Sequence, residues 1–276
     1  MLDKSIITKN VKNSLLEDDA LNDLSKLALV ETGTKIINAV LTVKENCVIS
    51  GIDWFNESFI LLDSDVELDW NCNDGDSIKA GTDICFICGK AQSILSAERT
   101  ALNFLQFMSG ISTKTKLYLT LLAGSNTELL DTRKTLPGLR YEQKYSTRIA
   151  GAKNHRFNLA DGLMLKDNHL KILAGIENIS YEHIKSKELF FEIEVKEISE
   201  IEPALTLKPD IVMFDNFSLD EIKKGSAIVN SRCKIEVSGL KSKEELKELS
   251  LLNIDYISMG DLTKNISSID FSLNIK

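Results

Sequence analysis

Hydrophobic positions recur along the chain in two periods, and the change from one to the other marks its organisation. Up to Lys90 short alternating runs dominate. TKIINAVLTVKENCVISGI, SDVELDWN and TDICFICGK predict strands, with turns at Glu45-Asn46, Asn73-Asp74-Gly75 and Ala80-Gly81. Before them, VKNSLLEDDALNDLSKLAL has a helical pattern. From Gln92 the period is that of a helix, with Ile94, Leu95, Leu102, Leu105 and Met108 on one broad face. Ser109-Gly110 is expected to interrupt this helix, and a second to run from Ser112 to Ala123 with Gly124 as its terminator.

Further on, apolar runs fall at 127–131, 161–166, 189–195, 210–215, 234–238 and 255–260, most of them separated by segments of helical character such as KSKEELKELSLLN. Strands alternating with helices predict parallel pairing through right-handed crossovers. Six such runs fit an incomplete α/β barrel, because a complete eightfold barrel takes about 250 residues. The polar residues gather at the C-terminal ends of the runs: Arg133 and Lys134, Lys166, Glu194, Asp215, Ser238-Gly239, Ser258 and Gly260. In α/β barrels that rim is where active sites are built.

Charge sharpens this picture. The chain has 276 residues, 43% of them apolar, and a formal net charge of −8, so it lacks the basic field that nucleic acid or an anionic membrane would need. Yet between Asp131 and Leu170 stand Arg133, Lys134, Arg140, Lys144, Arg148, Lys153, Arg156 and Lys166, with His155 and His169. So many cations in one stretch of an acidic protein imply a small, strongly anionic ligand. No apolar run approaches the roughly 18 residues of a spanning helix. The start, MLDKSIITKN, lacks the apolar core of a signal peptide, which makes the cytoplasm the expected compartment. Five cysteines form no disulfide framework, and Cys85 and Cys88 read as core positions of a strand, there being no second ligand pair for zinc. His183 has no motif around it and reads as surface.

Six blocks carry a resemblance: DTRKTLPGLR, AGAKNHRFNLADGLMLKDNHL, FEIEV, IVMFDN, EVSG and ISMGDLT, preceded by AERTALNFLQFMSGIST. In order and spacing the chain resembles the quinolinate phosphoribosyltransferases, also called nicotinate-nucleotide pyrophosphorylases (carboxylating), over essentially its whole length. The resemblance implies an α/β fold of two domains. The first is an N-terminal α/β sandwich over residues 1–109, joined by the tail 267–276. The second is an incomplete, six- to seven-stranded parallel α/β barrel over 110–266. It also implies a reaction, in which quinolinate and phosphoribosyl pyrophosphate give nicotinate mononucleotide, pyrophosphate and carbon dioxide in de novo NAD synthesis, with magnesium.

By position in these blocks, Arg133, His155 and Arg156 are implied to bind quinolinate, with Thr132 beside them and Lys166 near both substrates. Lys134 and Lys166 suit the departing pyrophosphate, whose charge grows in the transition state. Glu194 and Asp215 are implied to lie beside the ribose hydroxyls and magnesium, and Ser238, Gly239, Ser258, Met259 and Gly260 at the 5′-phosphate. Arg99 is implied to reach the site of a neighbouring subunit in a homodimer. The chain departs from the family pattern at Ala150-Gly151-Ala152, at Lys264-Asn265, and at Ala20 and Asn22. Two other readings stand beside this one: a related phosphoribosyltransferase-like enzyme acting on a different base, and a phosphate-binding barrel without catalysis. The first would be expected to lack the Lys-Asp-Asn-His block, and the second to lack Glu194, Asp215 or the lysines. All are present.

Overall fold

Alternation makes the first sheet. In β1 (Ile36–Val43) and β5 (Asp83–Lys90) the inward residues Leu41, Val43, Ile84, Cys85 and Ile87 are buried, while Ile36 and Phe86 face outward. With β3 (Glu67–Trp70) and β12 (Phe271–Ile275) they form an antiparallel sheet in the order β12-β1-β5-β3, and β2 (Cys47–Val48) pairs with β4 (Ser77–Ile78). The computed structural model describes residues 3–180, 182, 190–239, 243–252 and 254–276. His183, Leu189 and part of the 241–253 helical segment lie outside the described residues.

The chain divides into two units. The first holds Met1–Lys116, Pro137–Ala150 and Asn265–Lys276, and the second Leu117–Leu136 and Gly151–Lys264. In the first, Phe55, Phe59, Ile94 and Leu105 complete the core beneath the sheet. Residues 137–150, which the sequence boundaries assign to the barrel domain, belong to this unit. Their helix, Arg140–Ile149, sets Tyr145 against Trp54 with ring centroids 5.1 Å apart, and Trp54 Nε1 donates to Glu142 at 3.1 Å. Arg140, Lys144 and Arg148 thus stand on a helix of the first unit.

Two helices differ from expectation. The first runs Lys4–Glu17, capped by Asp3, whose carboxylate accepts from Ser5 N at 3.0 Å. It stops well before Leu29 because Glu17-Asp18-Asp19 would stack like charges at the negative end of the helix dipole; Asp19 instead turns to φ 47°. The second is continuous from Ala91 to Leu121, through Ser109-Gly110. Glycine costs only about 1 kcal/mol in a helix, and here a Cβ would stand 2.1 Å from Ser267 O of the C-terminal segment. Gly110 marks a close approach, not a break.

The second unit is the incomplete barrel. Its six parallel strands are β6 (Glu128–Leu130), β7 (Leu163–Leu165), β8 (Phe191–Val195), β9 (Ile211–Asp215), β10 (Lys234–Ser238) and β11 (Tyr256–Ser258), in the order β6-β11-β10-β9-β8-β7. Lys153 makes a parallel bridge to Leu130 at the open β6 edge. Phe191, Ile193, Val212, Phe214, Val237 and Ile257 pack with Ile222, Leu246 and Leu262 of the surrounding helices. Among the described residues no helix is long and apolar enough to cross a membrane.

Candidate active site

Strand register brings the predicted polar ends together. Ser238 lies opposite both Asp215 and Ser258, and Ser258 opposite Leu130, so β6, β11, β10 and β9 finish at one level. Glu194 follows on β8, paired with Met213, and Lys166 stands just past β7.

The chain past β6 is anchored by Asp131, which is fully buried. Its two carboxylate oxygens accept from His155 N at 2.9 Å and Asn154 Nδ2 at 2.6 Å, laying residues 153–156 along the strand. Thr132 Oγ1 accepts from Lys134 N at 3.0 Å, and Thr263 Oγ1 donates to Lys134 O at 2.8 Å. Thr263 belongs to the segment that departs from the family pattern, yet it still clamps Lys134. In the other departure, Gly151 alone takes the left-handed φ of 109°, so Ala150 and Ala152 meet no backbone penalty.

Arg156 donates to Gly162 O at 3.1 Å and to Met164 Sδ at 3.3 Å. Burial, and then the nearby Arg133 guanidinium, hold Arg156 below the usual arginine range. Arg133 Nε is buried with no hydrogen-bond partner. Two repelling guanidiniums with an unused buried donor describe an anion site, because a buried N–H without an acceptor costs about 1–3 kcal/mol until one arrives.

Lys166 Nζ donates to Glu194 Oε2, and Lys166 N to His169 Nδ1 at 3.0 Å. Lys196, which sequence reasoning missed, pairs with Asp167 at 2.7 Å, and Asp215 and Glu194 add smaller pulls that also raise its pKa. At the end of β9, Asp215 accepts from Asn216 Nδ2 at 2.8 Å. Gly239 holds φ +87°, and a Cβ there would stand 2.3 Å from Asn216 Oδ1, so the turn after Ser238 admits only glycine. Gly260 leaves room for the Lys134 stem, since a Cβ would lie 3.0 Å from its Cδ. Ser258 Oγ is buried and acts on the Glu236 carboxyl, lowering its pKa against the effect of burial. Met259 is an exception at this rim: its side chain is in the core, and its N–H donates to Leu130 O at 3.0 Å, so neither is free for a phosphate.

The His155 ring turns into the barrel, with Nε2 at 3.0 Å from Glu192 Oε2 and 3.5 Å from Glu236 Oε2. Both carboxylates are fully buried. The donor atoms of these three side chains lie within 4.8 Å of one another. Neither Glu192 nor Glu236 is among the residues expected at the site from the sequence. Arg99 lies in the first unit, exposed on the helix Ala91–Leu121. Cys85 is fully buried, which pushes its thiol up to about 12.

Residues 23–109 match the family model "Quinolinate phosphoribosyl transferase, N-terminal domain", and residues 111–274 match its C-terminal domain. A probable nicotinate-nucleotide pyrophosphorylase (carboxylating) of Methanocaldococcus jannaschii is 35% identical, over 99% of this chain and 98% of that one. Its Bacillus subtilis counterpart is 32% identical, over 98% and 93%. The solved structure of the Francisella tularensis nicotinate-nucleotide pyrophosphorylase superposes with a TM-score of 0.92 at 34% identity, covering 100% of this chain and 98% of that one.

Proposed function

The chain belongs to the quinolinate phosphoribosyltransferase family, and we propose how the barrel rim performs that family's reaction. The enzyme is a pentosyltransferase of NAD biosynthesis. It converts quinolinate and phosphoribosyl pyrophosphate to nicotinate mononucleotide, pyrophosphate and carbon dioxide. The observation that carries the assignment of roles is the Arg133–Arg156 pair, with its mutual repulsion and the unpartnered Arg133 Nε.

Quinolinate has two adjacent carboxylates, and one guanidinium for each relieves the repulsion with charge-assisted hydrogen bonds. So held, the pyridine nitrogen attacks ribose C1 as the bond to pyrophosphate breaks. Lys134 and Lys166 receive the pyrophosphate charge that develops. Glu194 and Asp215 accept from the ribose hydroxyls and stabilise the positive charge at C1. Lys166 is already paired with Glu194, so the cation for the leaving group and the carboxylate for the ribose are fixed relative to each other. Ser238, Gly239, Ser258 and Gly260 take the 5′-phosphate. Once alkylated, the ring nitrogen is positive, and the electron pair of the C2–carboxylate bond flows towards it as carbon dioxide leaves; a proton then adds at C2.

Two carboxylates at neighbouring strand ends, one of them shared with a lysine, fit magnesium, which takes one or two carboxylates and completes its shell with water and substrate phosphates. Glu194 and Asp215 would hold it, and when bound it would offset phosphate charge. We further propose a cytoplasmic homodimer in which Arg99 completes the partner's site. It is exposed on its helix, and among the described residues no carboxylate lies within ion-pair distance of it.

The test is substrate choice, measured by mass spectrometry of the products with magnesium and phosphoribosyl pyrophosphate present. Nicotinate lacks the second carboxylate and leaves one guanidinium uncompensated. Its kcat/KM should be about ten- to hundredfold lower than that of quinolinate. Equal values would end this assignment of Arg133 and Arg156.

A further inference from the structure

Both ring nitrogens of His155 face groups of the protein itself. Nδ1 accepts from Arg156 N at 2.7 Å, so the ring proton belongs on Nε2, which faces Glu192 and Glu236. A second proton on Nδ1 would break the hydrogen bond to Arg156. The four carboxylate oxygens of Glu192 and Glu236 are buried, and besides His155 the Ser258 hydroxyl acts on Glu236. Two charges in that position would be prohibitive. Burial first, and the Glu192 charge second, push Glu236 up to about 8, with His155 opposing. The Glu192 carboxylate also acts on Arg156, favouring its charged form against Arg133.

We propose that Glu192 and Glu236 are positioning residues: through His155, held as a neutral Nε2–H donor, they fix the Arg156 segment, so that quinolinate is gripped by guanidinium groups and not by an imidazolium. Each contact is a link in one chain. Asp131 holds His155 N, His155 Nδ1 holds Arg156 N, and Gly162 O holds the Arg156 guanidinium. The carboxylates facing the imidazole are Glu192 from β8 and Glu236 from β10; Arg156 N donates to its Nδ1, and Asp131 accepts from the His155 backbone N–H. Lys166 is a further cation acting on Glu236. The inference rests on the assignment of Arg156 to quinolinate, and the two can fail separately.

The chain has three histidines, so ¹⁵N-histidine labelling gives a readable imidazole spectrum, with His155→Asn identifying its signal by loss. His155 should show the Nε2–H tautomer without change between about pH 6 and 8, where a free imidazole titrates. Titration in that window overturns the proposal. In kinetics, Glu192→Gln should raise the KM for quinolinate at least about tenfold and leave the KM for phosphoribosyl pyrophosphate alone. If that variant does not fold, Glu192→Asp withdraws the carboxylate by one methylene and should do the same. An unchanged quinolinate KM in Glu192→Gln, beside a raised one in Arg156→Ala, overturns this inference only. An unchanged KM in Arg156→Ala overturns the site assignment beneath it. One equivalent of a transition metal in the purified protein, lost in Glu192→Gln, would assign the three side chains to a metal and not to positioning.

Discussion

β5 and β8 are both alternating strands, and they are put to opposite uses. In β5, DICFICGK, one face is apolar and buried while Phe86 and Asp83 look outward. In β8, FEIEV, all five residues are buried, so the polar face is interior as well. The first sheet's inward strand positions carry aliphatic groups and a thiol that burial keeps protonated. The barrel's carry Glu192, Glu194 and Glu236. Apolar strand interiors need only volume and shape. A buried carboxylate needs a proton, a cation or a donor: burial favours the protonated form of Glu236, Lys166 pairs with Glu194, and the imidazole faces Glu192. One sheet stabilises, and the other holds charge in readiness for a reaction.

The sharpest way to break that contrast is Arg99, a residue of the first unit to which we assign chemistry. Arg99→Ala and Lys166→Ala should each be nearly inactive alone. Mixed and allowed to exchange subunits, they should form heterodimers with one doubly damaged site and one intact site, restoring about a quarter of wild-type activity at random exchange. Exchange shown by mass spectrometry without recovered activity would return the first unit to a purely supporting role. On the barrel side, Glu194→Gln should lower kcat on the order of a hundredfold with little change in quinolinate affinity, because its charge matters most as C1 becomes cationic. Full turnover in that variant would make the Lys166–Glu194 pair structural. In the first sheet, Leu41→Ala should destabilise by about 2–5 kcal/mol in urea unfolding and leave both KM values as they were.

Much of this was legible in the sequence, and the reasons are physical. Strands that end on charge, such as the one before Thr132-Arg133-Lys134, show both their period and their rim. FEIEV displays its carboxylates on alternate positions. The missing parts are those that depend on a partner distant in sequence. Gly110 reads as a helix breaker until Ser267 is seen against it. The segment 140–148 reads as part of the barrel domain until its helix is found in the first unit, packed on Trp54. Glu236 in KIEVS is a single acid in a short strand, with nothing to distinguish it from a solvated edge. Only the parallel register of β8, β9 and β10, which places it across from Met213 and one strand from Glu192, makes it interior.

That register leads to the smallest effect, and the one most specific to a charged interior. A carboxyl whose folded pKa is raised contributes stability that is fully present below its unfolded pKa and is lost as pH rises through the folded value. For Glu236 the window runs from the ordinary 4.5 to about 8. Across it the folded protein keeps a proton that the unfolded chain has released. Stability should therefore decline with rising pH in that interval, and Glu236→Gln, which cannot ionise, should remove this part of the slope. Wild type and variant should draw together towards pH 5 and separate towards pH 8, with the variant's unfolding midpoint falling less. The same substitution test on Glu45, an exposed acid in a turn of the first unit, should leave the slope as it was. Parallel curves for wild type and Glu236→Gln would mean that the barrel interior does not store a proton there, and that both buried carboxylates are ionised beside a charged His155.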